Sequence, residues 1–153
     1  MKKLLIVSHT PSENTRVMTQ SVLAGASHPD ISGIEVRHTQ PLQTGPDEVL
    51  AADAIILGTT ENFGYMSGAM KDFFDRIYYP CLEKTESLPY ALFIRAGNDG
   101  LGATSSIERI VKGLAWKQVQ APLICVGSWQ DSFLEQCEEL GMTLAAGLEA
   151  GIF

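Results

Sequence analysis

Four runs of the chain are apolar at every position: Leu4–Val7, Ala54–Leu57, Tyr90–Ile94 and Leu123–Val126. Short runs of this kind predict strands buried on both faces. Ile34-Glu35-Val36-Arg37 instead alternates, which predicts a strand with one wet face or at a sheet edge. Between these runs the apolar residues fall at spacings of three and four, the period of a helix face. Val17, Met18, Val22 and Leu23 predict a helix to about Ala26, ended by His28-Pro29-Asp30, and Asp47–Ala52 a short one. Met66, Met70, Phe73, Phe74 and Ile77 form one stripe, with Ser67 as N-cap and Pro80 as stop. Ile107, Ile110, Val111 and Leu114 follow, with Ser105 and Glu108 at capping-box spacing. Phe133, Cys137, Leu140 and Leu144 form the last stripe, with Asp131 as cap, and Gly141 and Gly147 allow it to pack closely. These stripes read as core.

The resulting order is βαβ(α)βαβαβα, without repeats or linkers, so residues 1–153 form one domain. Strands alternating with helices imply right-handed crossovers and a parallel sheet covered on both faces. With the only alternating strand at an edge, the five strands take the doubly wound order 2-1-3-4-5. Its switch point lies between strands one and three, where an open α/β sheet keeps its ligand. The loops there are Ser8–Thr15 and Thr59–Met66, which link strand, small polar residues and helix; the second also holds Phe63 and Tyr65.

Composition narrows the function. Hydrophobic residues make up 45% and charged residues 19%, a globular balance. Net charge is −7, with no cluster of Lys and Arg, which argues against nucleic acid and against an anionic membrane surface. The run Leu4–Val7 is too short for a signal-peptide core, and no apolar stretch is long enough to span a bilayer, so a cytoplasmic location is expected. Cys81, Cys125 and Cys137 are odd in number and far apart, neither a disulfide framework nor a metal-ligand set; they are expected to be reduced and structural.

The first loop carries Ser8, Thr10, Ser12, Asn14 and Thr15, with one Glu and no Lys or Arg. Hydroxyls beside the free N–H groups of a helix start make an anion site. The same residue types are ordinary helix caps, and taken alone they leave the two readings level. His9 lies in this loop, whereas His28 and His38 read as surface residues. The third loop, Ala96–Gly102, is not a dinucleotide fingerprint, because its glycine spacing is wrong; its glycines allow backbone to approach a flat ligand. Asp75-Arg76 reads as a surface ion pair. Tyr78-Tyr79-Pro80, Trp116 and Trp129 read as surface aromatics of the kind enriched at interfaces.

Two of these stretches resemble a known family. Ser8, Asn14 and Thr15 resemble the S-x-x-x-x-x-N-T phosphate loop of NADPH-dependent FMN reductases and related flavodoxin-fold proteins. Thr60, Asn62, Phe63, Gly64, Met66 and Ser67, followed by Met70, Lys71, Phe73, Asp75 and Arg76, resemble that family's P-x-Y-F-G-x-M-S and L-K-x-F-x-D-R segments in order and spacing. The resemblance implies a flavodoxin-like fold with FMN at the carboxyl edge of the sheet. The phosphate would sit on Ser8, Thr10, Ser12, Asn14 and Thr15. The isoalloxazine would lie between Thr60, Glu61, Asn62, Phe63, Gly64, Tyr65 and Met66 on one side and Ala96, Gly97, Asn98, Asp99 and Gly100 on the other. Glu61 bonds the ring or is exposed. The implied activity is transfer of a hydride from NAD(P)H through flavin N5 to a quinone, flavin or other small-molecule acceptor, in a homodimer or homotetramer, with no strictly catalytic side chain. Two alternatives remain: a flavodoxin-type electron carrier, and a flavodoxin-fold interaction module without cofactor.

Overall fold

The computed structural model describes residues 1–153. The first strand, β1 (Lys2–Ser8), leads into α1 (Glu13–Ala26); β2 (Ile34–Thr39) is followed by a 3-10 turn at Pro41–Gln43 and α2 (Pro46–Ala51). Next come β3 (Ala54–Asn62), β4 (Tyr65–Met66) and α3 (Gly68–Cys81), then β5 (Pro89–Ala96) and α4 (Leu101–Gly113). The chain ends in β6 (Lys117–Gln118), β7 (Leu123–Val126) and α5 (Ser132–Ala150). The sheet path is β2-β1-β3-β5, with β6 and β7 both on the far side of β5, and these pairings are all parallel. This is the doubly wound order expected. The alternating strand β2 is an edge, and its burial alternates accordingly. Two features exceed expectation. The far edge is in two pieces, β6 and β7, and β4 pairs antiparallel with the end of β3.

Pleating divides the core in two. Leu4, Ile6, Ala54, Ile56, Ala91 and Phe93 point to α1 and α5, while Leu5, Val7, Ile55, Leu57, Tyr90 and Leu92 point to α3 and α4. Every strand residue in these two sets is buried, which is why the strands read as unbroken apolar runs. Phe73, Phe74, Met70 and Ile77 are fully buried against the second face; each contributes about 1.5–3 kcal/mol by leaving water. On the other face α1 and α5 cross at two glycines. A Cβ on Gly25 would stand 1.9 Å from the Glu138 carbonyl oxygen, and one on Gly141 2.0 Å from that of Val22.

Helix ends depart from the sequence reading where caps come from afar. Ser67 caps α3 as expected, its hydroxyl accepting the Met70 N–H at 3.2 Å. Pro80 does not stop α3: it sits in the last turn, and the helix closes when Leu82 N–H reaches the Tyr78 carbonyl. The helix α4 begins at Leu101, so Ser105 and Glu108 form no capping box; the Ser105 hydroxyl donates to the Leu101 carbonyl instead. Asp131 stands at the start of α5 without capping it, its carboxylate taking the Trp129 indole N–H. Asp75 pairs with Lys71 rather than Arg76. Arg76 binds Asp72 and donates to the carbonyls of Thr44 and Pro41, tying α3 to the turn after β2. Trp116 is not a surface residue; it is buried against Phe74 and Tyr90 and donates its N–H to Thr85.

Gly141→Ala tests the α1–α5 crossing. Ala normally gains about 1 kcal/mol over Gly within a helix. Here the new methyl overlaps the Val22 carbonyl, and the variant is expected to lose about 1–3 kcal/mol. A lower urea midpoint at unchanged slope is the expected readout; an unchanged or higher midpoint would show that the helices separate freely.

Candidate functional site

The second loop is a hairpin. Strand β3 runs past the sheet to Asn62, turns through Phe63 (φ 53) and Gly64 (φ 71), and returns as β4, with Glu61 opposite Met66 and Asn62 opposite Tyr65. Two successive positive φ angles make a type I′ turn, which suits glycine and burdens Phe63. The Phe63 ring is nevertheless fully in solvent, and Tyr65 beside it is 42% exposed.

The hairpin tip lies on the start of α4. A Cβ on Gly102 would stand 1.9 Å from the Gly64 carbonyl oxygen, so only glycine permits the contact. The Met66 N–H donates to Ser106 Oγ at 3.2 Å, and the Ser67 N–H to Thr59 Oγ1 at 3.0 Å. Glu61 completes the junction. Its Oε1 accepts the Gly100 N–H at 3.2 Å and its Oε2 the Ala103 N–H at 3.3 Å. The carboxylate therefore supplies the N-terminal cap that Gly100 lacks and lies at the favourable end of the helix dipole. Both oxygens of Glu61 are thus engaged within the protein. The loops expected on opposite sides of a flat ligand also touch directly, at Gly64 and Gly102.

The first loop divides into engaged side chains and free backbone. Ser8 is the last residue of β1 and fully buried; its hydroxyl bonds Thr19 Oγ1 at 2.9 Å and His38 Nε2 at 2.8 Å. His38, expected at the surface, is half-buried, because β2 extends two residues beyond Arg37 and brings it beside β1. Ser12 and Thr15 bond each other in a reciprocal cap. Thr10 Oγ1 accepts from Gln40 at 2.7 Å, and the Asn14 side chain is exposed. The N–H groups of Thr10, Glu13 and Asn14 have no partner. Glu13 pairs with Arg16, so the loop carries no net charge.

Two buried polar atoms here also lack partners: His9 Nδ1 and Thr60 Oγ1. They belong to neighbouring strand ends, since the His9 N–H reaches the Gly58 carbonyl at 3.0 Å. A buried polar atom left unpaired costs about 1–3 kcal/mol, so the pair marks where a hydrogen-bonding ligand or water is favoured. A cleft of about 360 Å³ opens beside His9 and Thr10, walled by Gln40, Leu42 and Ala69. Burial lowers the pKa of His9 and of His38, where the bond to Ser8 opposes it only in part.

The third loop is shorter than expected, since Leu101 and Gly102 are already helical. Ala96 is buried at the end of β5 and Gly100 lies against Ile124, where a Cβ would approach to 2.3 Å. Gly97, Asn98 and Asp99 are exposed, with N–H groups that have no partner, while Asp99 Oδ1 takes the Leu101 N–H at 2.9 Å. Behind this loop Arg95 donates to the carbonyls of Ala96, Cys125 and Gly127, and lies 5.3 Å from the Phe133 ring centre. The sequence reading passed over Arg95 and placed His38 at the surface. The signal for Arg95 was one cation inside an otherwise apolar strand.

No protein-family model matches this chain. Over 77 residues it is 35% identical to a flavodoxin from Aquifex aeolicus (strain VF5), a match covering 50% of this chain and 40% of that relative. A flavodoxin from the domain Archaea superposes with a TM-score of 0.81 at 21% identity, covering 95% of this chain and 98% of that one. The fold is flavodoxin-like. A flavodoxin, WrbA-like protein from Agrobacterium tumefaciens gives a TM-score of 0.74 at 17% identity, covering 95% and 96% of the two chains. No helix is long and apolar enough to cross a membrane, and no group of three or more His, Cys, Asp or Glu is arranged to hold a metal ion. The three cysteines are free and buried.

Glu61→Ala releases the Gly100 and Ala103 N–H groups. Their hydrogen exchange is expected to quicken by about tenfold or more, the loss of one charge-assisted hydrogen bond, while core strands keep their protection. Equal exchange in both proteins would show that the carboxylate does not hold the junction. His38 makes a pH test. Its folded-state pKa lies below the ordinary 6.5, so falling pH protonates the unfolded chain first and weakens the fold from about pH 6.5 down to the folded value. His38→Gln is expected to flatten that part of the stability profile, measured by urea midpoints from pH 7 to 5.

Proposed function

We propose that this chain binds FMN at the carboxyl edge of its sheet and acts as an NAD(P)H-dependent oxidoreductase on a quinone, flavin or similar small acceptor. The observation that carries this reading is the gathering of unpaired donors around one strand junction. Thr10, Glu13 and Asn14 offer N–H groups at the start of α1, and Gly97, Asn98 and Asp99 offer theirs across the edge, with His9 Nδ1 and Thr60 Oγ1 between. This donor set fits a phosphate at one end and a flat ring bearing carbonyls at the other. Uncharged donors at a helix start suffice for a phosphate, each bond contributing about 0.5–1.5 kcal/mol and the dipole about 0.3–1 kcal/mol.

Bound FMN would supply the redox chemistry, accepting two electrons from the reduced nicotinamide and passing them to the acceptor. The protein's part is to bind and orient. The first loop would hold the phosphate by its backbone, while Ser8 steadies the loop from beneath through His38 and Thr19. Glu61 would keep the hairpin fixed to α4, so that Thr60 and Asn62 meet the ring in one arrangement. The names of the archaeal and Agrobacterium neighbours, and the Thr60–Arg76 segment, favour a flavin. The exposed Phe63 ring favours a homodimer or homotetramer. A flavodoxin-type carrier is the second reading, supported by the stretch shared with the Aquifex protein and by the net charge of −7.

An absorption spectrum with added FMN, followed by anaerobic NADPH, tests the proposal. The expected result is a stoichiometric yellow complex that NADPH bleaches, and that an added quinone recolours. A complex that NADPH leaves coloured would assign the carrier role. A chain that takes up no FMN would be the interaction module.

A further inference from the structure

A second pair of clefts lies on the face covered by α3 and α4. One, of about 360 Å³, is bounded by Gly64, Tyr65, Gly102 and Ser105; the other, of about 390 Å³, by Phe74, Tyr78 and Tyr79. Both are lined by Lys71, Arg109 and Ile110, so they form one channel. Its upper end is the hairpin tip. At 1.5 Å per residue, Gly102 to Arg109 and Lys71 to Tyr78 each span roughly 10 Å side by side, and because the two spans overlap the channel runs about 15 Å down the helices.

Its charge is unlike the rest of the molecule. The chain carries −7 overall, yet two cations face the middle of this channel. Lys71 is matched by Asp75 at 2.6 Å. Arg109 has neither an ion pair nor a hydrogen bond, and its planar fork suits a phosphate. Below it, Tyr78 and Tyr79 stand edge to face with centroids 5.3 Å apart, and Tyr79 is 79% exposed. Exposed aromatic rings next to a cation offer a base-stacking surface beside a phosphate site. Asp75 lines the lower cleft and repels phosphate there, which favours the region of Arg109 and Ser105.

We propose that the channel between α3 and α4 is the subsite for the adenosine diphosphate portion of the nicotinamide dinucleotide. Arg109 holds a phosphate, Tyr79 carries the adenine, and the nicotinamide end extends past Gly64 towards the sheet edge. This assignment rests on the reductase reading above and adds where its reductant is held. It makes Arg109 a determinant of affinity rather than of chemistry.

Arg109→Ala in the FMN-loaded protein is the test, with NADP⁺ binding followed by calorimetry and NADPH oxidation by steady-state kinetics. Arg109 is exposed, and the variant is expected to fold. Kd for NADP⁺ and KM for NADPH are expected to rise by about tenfold, the loss of one charge-assisted contact, with kcat retained and wild-type affinity falling as salt is raised. The adenosine fragment 2′,5′-ADP should compete with NADP⁺ in the wild type and lose affinity in the variant by a similar factor. If the wild type oxidises NADPH and the variant matches it in Kd and KM, the subsite is overturned and the reductase reading stands. If the FMN-loaded wild type neither binds NADP⁺ nor oxidises NADPH, both fall. A wild-type dimer that Arg109→Glu splits, with unchanged NADP⁺ affinity, would give the channel to a second copy of the chain and overturn the subsite.

Discussion

Parallel pairing is the constraint on which the rest depends. With β1, β2, β3 and β5 all running one way, each connection must cross back over a face, and helices after β1, β3 and β5 begin at the same sheet edge. Their first N–H groups gather there without intrahelical partners. The protein settles that surplus unevenly. At α4 the Glu61 carboxylate and Asp99 occupy the Gly100, Leu101 and Ala103 donors. At α1 and α3 a serine satisfies one donor and leaves the first two free. An anion is thus directed away from α4 and towards the strand junction, where His9 and Thr60 also lack partners.

The same distribution explains what could be read from the chain. Buried strands announce themselves because pleating sends alternate residues into two apolar cores, and a single alternating strand was enough to place the edge. The hairpin was not legible. Its return strand has two residues, and its turn places Phe63 in a conformation that a phenylalanine avoids. The start of α4 was misplaced because its cap comes from Glu61, 39 residues upstream of Gly100, and no local pattern encodes that. Trp116 was misread because a positive φ at Ala115 returns the chain to the core just past the helix end. His38 looked like a surface residue until the extended edge strand set it against Ser8.

At the first loop the sequence offers hydroxyls and helix-start amides as one set of donors, and the fold separates them. In the folded chain Ser8, Ser12 and Thr15 spend their hydroxyls on the protein, and the uncommitted donors are main-chain amides. Glu61, expected to face a ligand or solvent, is instead the tie between two loops. The two loops at this edge are therefore joined by a long-range contact between a strand end and a helix start.

The divided far edge has a consequence for how molecules of this chain meet. An intact outer strand would present a row of unsatisfied amides and carbonyls on which another copy could pair. Between β6 and β7, Gln120, Ala121 and Pro122 interrupt that row, and proline offers no donor there. At the opposite edge, Glu35 and Arg37 place charges along β2. Neither margin offers a long flat template for strand addition, so fibrous growth is discouraged at both ends of the sheet.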